Sequence, residues 1–259
     1  MKALVRRPGP RLAEGLLTHL QRQPIDVDLA MQQWRAYVDV LERGGWETIE
    51  VPPADDCPDA VFIEDTMVAY GDLVVIARPG APTRQPETEA AEATVAALGY
   101  EIAHIESPGT LDGGDVLKVG PTVYAGLGRR TNEAGIARLA DHLGRRGATV
   151  VTVPCNKVLH LKSAITALAD GTIVGWPDVV EDTSLFSRFL PTPEESGAHV
   201  VLLADDHLLI AADCPSSADL YRSLGYRPVE VDISEFQKLE GCVTCLSVRL
   251  RHDPPFATV

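Results

Sequence analysis

The chain has 259 residues, 45% hydrophobic and 23% charged, which suits one large or two small globular domains with a substantial core. A net charge of −14 gives a surface that repels nucleic acid and anionic lipid and suits a cationic small substrate better. Apolar runs such as VVLL at 200–203 are too short to span a bilayer, and MKALVRRPGP has no apolar stretch behind its basic residues, so neither a membrane segment nor a signal peptide is expected.

From the N-terminus, KALVRRP reads as a strand, WRAYVDVLERGG as a helix and WETIEVP as a second strand. AVFIED and LVVIAR follow as two short strands around a turn at YGD, then ETEAAEATVAALG as a helix and YEIAHIE as a third strand. The order recurs as DVLKVG, PTVYAG, the helix TNEAGIARLADHLGRRG and ATVVTVP. A less regular copy runs SAITALA, DGTIVGW and a helix-like DTSLFSRFL; another runs HVVLLA, DDHLLIAAD, the helix SSADLYRSLG and YRPVEVD. The last segment, TCLSVRL, is the strand that the N-terminal elements lack, so the two ends of the chain share one unit. Five such units, at intervals of roughly 35–55 residues, suggest a closed ring whose centre carries function. An open α/β sheet of meandering order is the alternative. The whole chain, 1–259, is expected to form a single domain.

Five cysteines, at 57, 155, 214, 242 and 245, are odd in number and scattered, which argues for a reducing, cytoplasmic compartment. Cys242 and Cys245 form a C-x-x-C pair, but no helix follows as in a thioredoxin motif, and no second pair completes a zinc site. That leaves a nucleophilic thiol or a buried small hydrophobe. His160, Asp112 and the acidic group Asp59, Glu64 and Asp65 stand at the fronts of other units, where Cys245 stands in its own. Each alone is a weak signal; together they would meet at the axis of a ring. Histidines 19, 104, 142, 199 and 207 carry no such placement, and His252 reads as part of a frayed tail.

PDAVFIED, RPGAPTRQPE, TLDGGDVL, GRRTNEAG, LHLKSA and LEGCVTCLSVR, in this order, resemble the dimethylarginine dimethylaminohydrolases of the guanidino-group modifying superfamily. The resemblance runs from Val5 to Arg249 and implies a five-bladed pseudosymmetric α/β propeller, the pentein fold. It implies hydrolysis of Nω-methylated arginines to citrulline and a methylamine, with Cys245 as nucleophile and Cys242 as a bystander. Arginine deimination, or an inactive arginine-binding protein on the same scaffold, is the alternative. A guanidinium carbon is poorly reactive, so a thiolate suits it as nucleophile, and a buried guanidinium needs carboxylates such as Glu64, Asp65 and Asp59. His160 would be the proton shuttle and Asp112 its orienting partner. The resemblance places Arg84 and Arg130 on the substrate carboxylate, with Arg129 as the alternative to Arg130. It further assigns Phe62, Leu239 and Leu20 to substrate binding, and a lid to the loop from Leu16 to Leu20. Deiminases and amidinotransferases carry H-x-D where this chain has His160-Leu161-Lys162, so one grip on the guanidinium is absent. No metal or cofactor is expected; the partner is the small substrate, and a homodimer is the working expectation for assembly.

Overall fold

The computed structural model describes residues 1–203 and 206–251; His252 and the junction at 204–205 lie outside them. Fifteen strands among the described residues make five separate three-stranded sheets. Strand β1 (Lys2–Val5) pairs with β2 (Glu47–Glu50) across helix α1 (Val27–Arg43) and with the last strand, β15 (Val248–Leu250). The second sheet is β3 (Met67–Tyr70), β4 (Leu73–Ile76) and β5 (Glu101–His104), with α2 (Thr88–Ala97) as its crossover. The third is β6 (Val116–Val119), β7 (Thr122–Gly128) and β8 (Thr149–Cys155), with α3 (Glu133–Gly144). The fourth is β9 (Ile165–Ala167), β10 (Ile173–Gly175) and β11 (Phe189–Pro191). In the fifth, β12 (Val201–Leu202), β13 (His207–Ala211) and β14 (Arg227–Val231) surround α4 (Pro215–Ser223); α5 (Ser234–Gln237) then leads to β15.

Every sheet has one plan. The first strand is antiparallel to the second, and the second is parallel to the third. A parallel pair needs a crossover longer than a hairpin, which α1, α2, α3 and α4 supply in four of the sheets. The pairing of β1 with β15 closes the ring of five units that the repeats led us to expect. Helix α1 begins where the Asp26 side chain accepts from Leu29 N, and it buries Ala30, Trp34, Tyr37 and Leu41 at helical spacing. Strand β4 is buried along its whole length, as its unbroken Leu-Val-Val-Ile requires. No described helix is long and apolar enough to cross a membrane.

Three readings of the sequence need correction. AVFIED is not a strand: it ends in a 3-10 turn, Ile63–Thr66, in which Thr66 Oγ1 donates to Ile63 O at 2.7 Å, and β3 starts only at Met67. An apolar run buried on all sides lacks the alternation that marks a half-buried strand. DTSLFSRFL is not a helix: it holds a short turn, Thr183–Leu185, where Asp182 accepts from Ser184 N at 2.9 Å and closes the backbone locally, and then the start of β11 at Phe189. TCLSVRL is strand only from Val248; Cys245 lies in a turn, its N–H donating to Cys242 O at 3.1 Å. The turns at Ile63–Thr66 and Cys242–Cys245 lead into the first strands of their sheets, β3 and β15.

Candidate active site

The turns before β3, β6, β9 and β15 converge. They bring Asp65, Asp112, His160 and Cys245 to the wall of one small cavity or its immediate support, all buried. The remaining wall is Leu16, Asp59, Phe62, Arg84, Arg130, Leu159, Leu239, Glu240 and Gly241. His160 Nε2 lies 2.9 Å from Asp112 Oδ2, and its Nδ1 lies 3.7 Å from Asp65 Oδ1. Burial opposes charge on the imidazole, but Asp65, the bond to Asp112 and nearby Asp115 outweigh it and raise His160 to about 9. Asp65 is likewise buried, yet His160, Arg84 and the Gly114 N–H hold it down at about 2. The site therefore rests as an imidazolium among carboxylates.

The close approach depends on TLDGGDVL. A Cβ on Gly114 would stand 2.5 Å from Asp65 Oδ1 and 2.7 Å from His160 Nδ1. On Gly113 it would meet Glu64 O at 2.1 Å. Only glycine lets this turn pass beside the imidazole. Asp115, which sequence reasoning did not single out, accepts from Leu161 N at 2.9 Å and from Thr131 Oγ1 at 2.6 Å, fixing the loop that carries His160.

The two arginines differ. Arg84 is fully engaged in the wall: Nη1 to Asp65 Oδ2 at 2.6 Å, Nη2 to Glu87 Oε2 at 2.8 Å, with Nε also on Glu87. Arg84 thus lines the cavity with its guanidinium braced by Asp65 and by Glu87, a residue that the sequence reading passed over. Arg130 is buried, 3.8 Å from Asp112 Oδ2, and its Nη1 has no hydrogen-bond partner, whereas Arg129 is exposed. Gly80 permits the approach of the Arg130 segment, since a Cβ there would lie 2.3 Å from Arg130 O.

Two expected substrate contacts fall elsewhere. Glu64 turns into a different cavity, where Oε1 meets Lys162 Nζ at 2.6 Å and Arg249 Nη2 at 2.9 Å and Oε2 accepts from Thr244 Oγ1. Alternate residues of the entry turn leave in opposite directions, so Glu64 and Asp65 cannot face one pocket. Leu20 is 48% exposed and lines a neighbouring cavity rather than the one containing His160. Its loop is nonetheless tied over the site: Leu16 N donates to Asp59 Oδ1 at 3.0 Å, Thr18 N and Leu20 N donate to Glu240 at 3.0 and 2.8 Å, and His19 N donates to Glu240 too. Glu240, not foreseen from sequence, holds φ at 61° immediately before Gly241, whose missing Cβ makes room for Phe62. Burial raises the Asp59 carboxyl, partly offset by Arg84 and the Leu16 N–H.

Cys245 opens onto the site, and Cys242 touches it from behind with its Sγ 3.2 Å from Cys245 Sγ. The bond from Cys245 pulls Cys242 down to about 5 against the cost of burial, while the second proton is held far more tightly. The pair thus carries one negative charge near neutral pH. Cys242 is no bystander in space, whatever its part in turnover. Asp65, Asp112 and His160 each bring a ligand atom within 4.8 Å of the others, but Asp65 is committed to Arg84 and His160 to Asp112. That set moves protons more readily than it accepts a metal.

A buried thiol pair, an imidazolium between carboxylates and a free arginine donor, carried by five like sheets, define a guanidine-modifying protein of the arginine deiminase class. Residues 47–213 match the family model described as arginine deiminase. The chain is 59% identical to N(G),N(G)-dimethylarginine dimethylaminohydrolase of Streptomyces coelicolor over 96% of its length and 97% of that protein's. It is 32% identical to the protein of the same name from Pseudomonas aeruginosa, over 95% of this chain and 98% of that one. A crystal structure of a cysteine-to-serine mutant of the Pseudomonas aeruginosa enzyme with citrulline superposes with a TM-score of 0.88 at 31% identity, covering 96% of this chain and 98% of that one. The chain belongs to the dimethylarginine dimethylaminohydrolase family.

Proposed function

We propose that the chain hydrolyses Nω-methylated L-arginines to L-citrulline and a methylamine or dimethylamine through a covalent adduct on Cys245. The observation that carries the reading is the shared cavity: the Cys245 thiol, His160 hydrogen-bonded to Asp112, and the unpartnered Arg130 Nη1 line or adjoin one buried space. The thiolate attacks the guanidinium carbon, and His160 donates a proton to the departing amine as the tetrahedral adduct collapses. His160 then takes a proton from water as it attacks the thiouronium, and Cys245 leaves with its electron pair. Asp112 keeps the imidazole oriented and charged for the first step. Arg130 supplies charge-assisted bonds to the substrate carboxylate, and the Leu16, Phe62 and Leu239 side chains pack beside the substrate.

Lys162 supports methylated over plain arginine. It points away from this cavity to Glu64, so the acceptors facing the guanidinium are Asp65 and Asp59, both already receiving bonds. An unmethylated nitrogen would bury N–H donors without acceptors, at about 1–3 kcal/mol each, whereas a dimethylated nitrogen has none to satisfy. The experiment is a citrulline assay on purified protein: kcat/KM for mono- and dimethylarginine should exceed that for arginine by at least roughly ten-fold, the factor that ~1.4 kcal/mol provides. Arginine turned over as fast as dimethylarginine would promote the deiminase reading instead.

The same reading treats residues 1–259 as one domain, supported by a sheet built from both ends of the chain. Five free cysteines, all buried, support a cytoplasmic setting. A homodimer is proposed on the resemblance alone.

A further inference from the structure

Cys242 and Cys245 face different spaces. Cys245 lines the catalytic cavity; Cys242 lines a neighbouring cavity of ≈ 320 Å³ with His19, Leu159, Ser163, His199 and Glu240. Their sulfurs meet at 3.2 Å through the wall between the two. They occupy the first and last positions of a four-residue turn closed by Cys245 N to Cys242 O at 3.1 Å, with the Cys242 N–H also 3.4 Å from Cys245 Sγ. A disulfide needs the sulfurs at about 2.05 Å, so side-chain rotation of about an ångström, with the turn intact, closes the gap.

We propose that Cys242 and Cys245 form a reversible disulfide that silences the enzyme, with Cys242 as the residue a peroxide reaches first. This rests on the reading of Cys245 as nucleophile. The Cys242 thiolate attacks a peroxide oxygen and becomes a sulfenic acid as the alcohol or water departs. Cys245 sulfur then attacks the Cys242 sulfur, the hydroxyl leaves as water after taking a proton, and the S–S bond forms. Two thiols lose two hydrogens and two electrons, and one peroxide is reduced. A dithiol reductant reverses the step.

Three features separate this pair from the other cysteines. Burial pushes Cys57, Cys155 and Cys214 up, Cys214 to about 12, so none offers a thiolate near neutral pH. The pair holds one thiolate stably because the remaining S–H donates to it. And the roomier cavity admits an oxidant to Cys242 by a route other than the substrate's own.

Tryptic cleavage after Lys238 and Arg249 releases both cysteines in the single peptide LEGCVTCLSVR, residues 239–249. Stoichiometric hydrogen peroxide should convert it to a form two hydrogens lighter, with activity falling in parallel and returning with dithiothreitol. In Cys242→Ser, whose own untreated activity is the reference, the lighter peptide cannot form. Its peroxide loss should be at least ten-fold slower or persist after dithiothreitol, as Cys245 passes to sulfinic acid. A wild-type peptide that gains oxygen without losing hydrogens overturns the proposal. So does a lighter peptide formed with activity unchanged, which would also remove Cys245 from the nucleophile's role. Because the mass shift is read without turnover, a protein inactive on methylarginines still reports whether the disulfide forms.

Discussion

Glu64 and Asp65 are adjacent in the chain, both buried and both acidic, yet their surroundings are opposite. Asp65 faces an imidazole and Arg84 in the cavity that holds Cys245. Glu64 faces Lys162 and Arg249 in a cavity that also holds Lys118, which burial and those neighbouring cations push down to about 7. The same division runs through the other entry turns: His160 goes one way and Lys162 the other, Cys245 one way and Thr244 the other. The turns before β3, β9 and β15 thus feed two sites at once, one reactive and one that ties the sheets together. Residue type alone does not say which; direction does.

The sharpest contrast is expected between two cysteines three residues apart. Cys245→Ser should lower kcat by at least about 10⁴-fold, because an alcohol cannot replace the thiolate. Cys242→Ser keeps a small polar side chain that can hydrogen-bond Cys245 from behind and should stay within about ten-fold of wild type. Equal inactivation would return the pair to a redox or metal role in turnover.

His160→Asn should cost about 10²–10⁴-fold, mainly in kcat, with citrulline binding retained. The pH profile gives the same group a second reading. The hydrogen bond between the sulfurs draws the pair's first ionisation down, Cys242 to about 5, and the carboxylates around His160 raise it to about 9. Wild-type kcat/KM should therefore rise through about 5, stay level, and fall as pH climbs through about 9 and the general acid is lost. A profile falling already near 6.5, the ordinary histidine value, would mean that Asp65 and Asp112 do not hold the proton in solution.

Arg130→Ala should act on recognition. Losing a charge-assisted contact of about 2 kcal/mol should raise KM for dimethylarginine about 30-fold with kcat little changed. Arg129→Ala, on an exposed side chain, should change neither constant.

Much of this architecture is legible in the sequence. Repeat order gave the five sheets, including the one shared by the termini, because turn residues and apolar segments recur in phase. The block matches named Cys245, His160, Asp112, Asp65, Asp59, Phe62, Leu239 and Arg130, all of which the fold gathers. Orientation is what spacing does not carry. Arg84 and Glu64 are both charged residues in matching blocks, but Arg84 lines the cavity braced by Glu87 while Glu64 turns to Lys162 and Arg249, a difference that no spacing reveals. Glu240 is hidden in the sequence because its role lies in backbone N–H groups 222 and 220 residues away, at Thr18 and Leu20. Gly114 did carry a signal: a Gly-Gly-Asp before a strand marks backbone forced close to something, though not to what.

The division between the two cavities is tested most directly by measuring citrulline formation from dimethylarginine in Asp65→Asn and Glu64→Gln side by side. Asp65→Asn leaves Arg84 short of a buried partner and His160 short of the charge that keeps it protonated, so kcat/KM should fall by at least about 100-fold. Glu64→Gln leaves Lys162 and Arg249 without their anion but does not touch the reactive cavity. It should stay within about ten-fold in kcat/KM while losing about 2 kcal/mol of stability, roughly 4–8 °C in Tm. If instead Glu64→Gln abolishes turnover with Tm unchanged, Glu64 grips the substrate and the division drawn here is wrong.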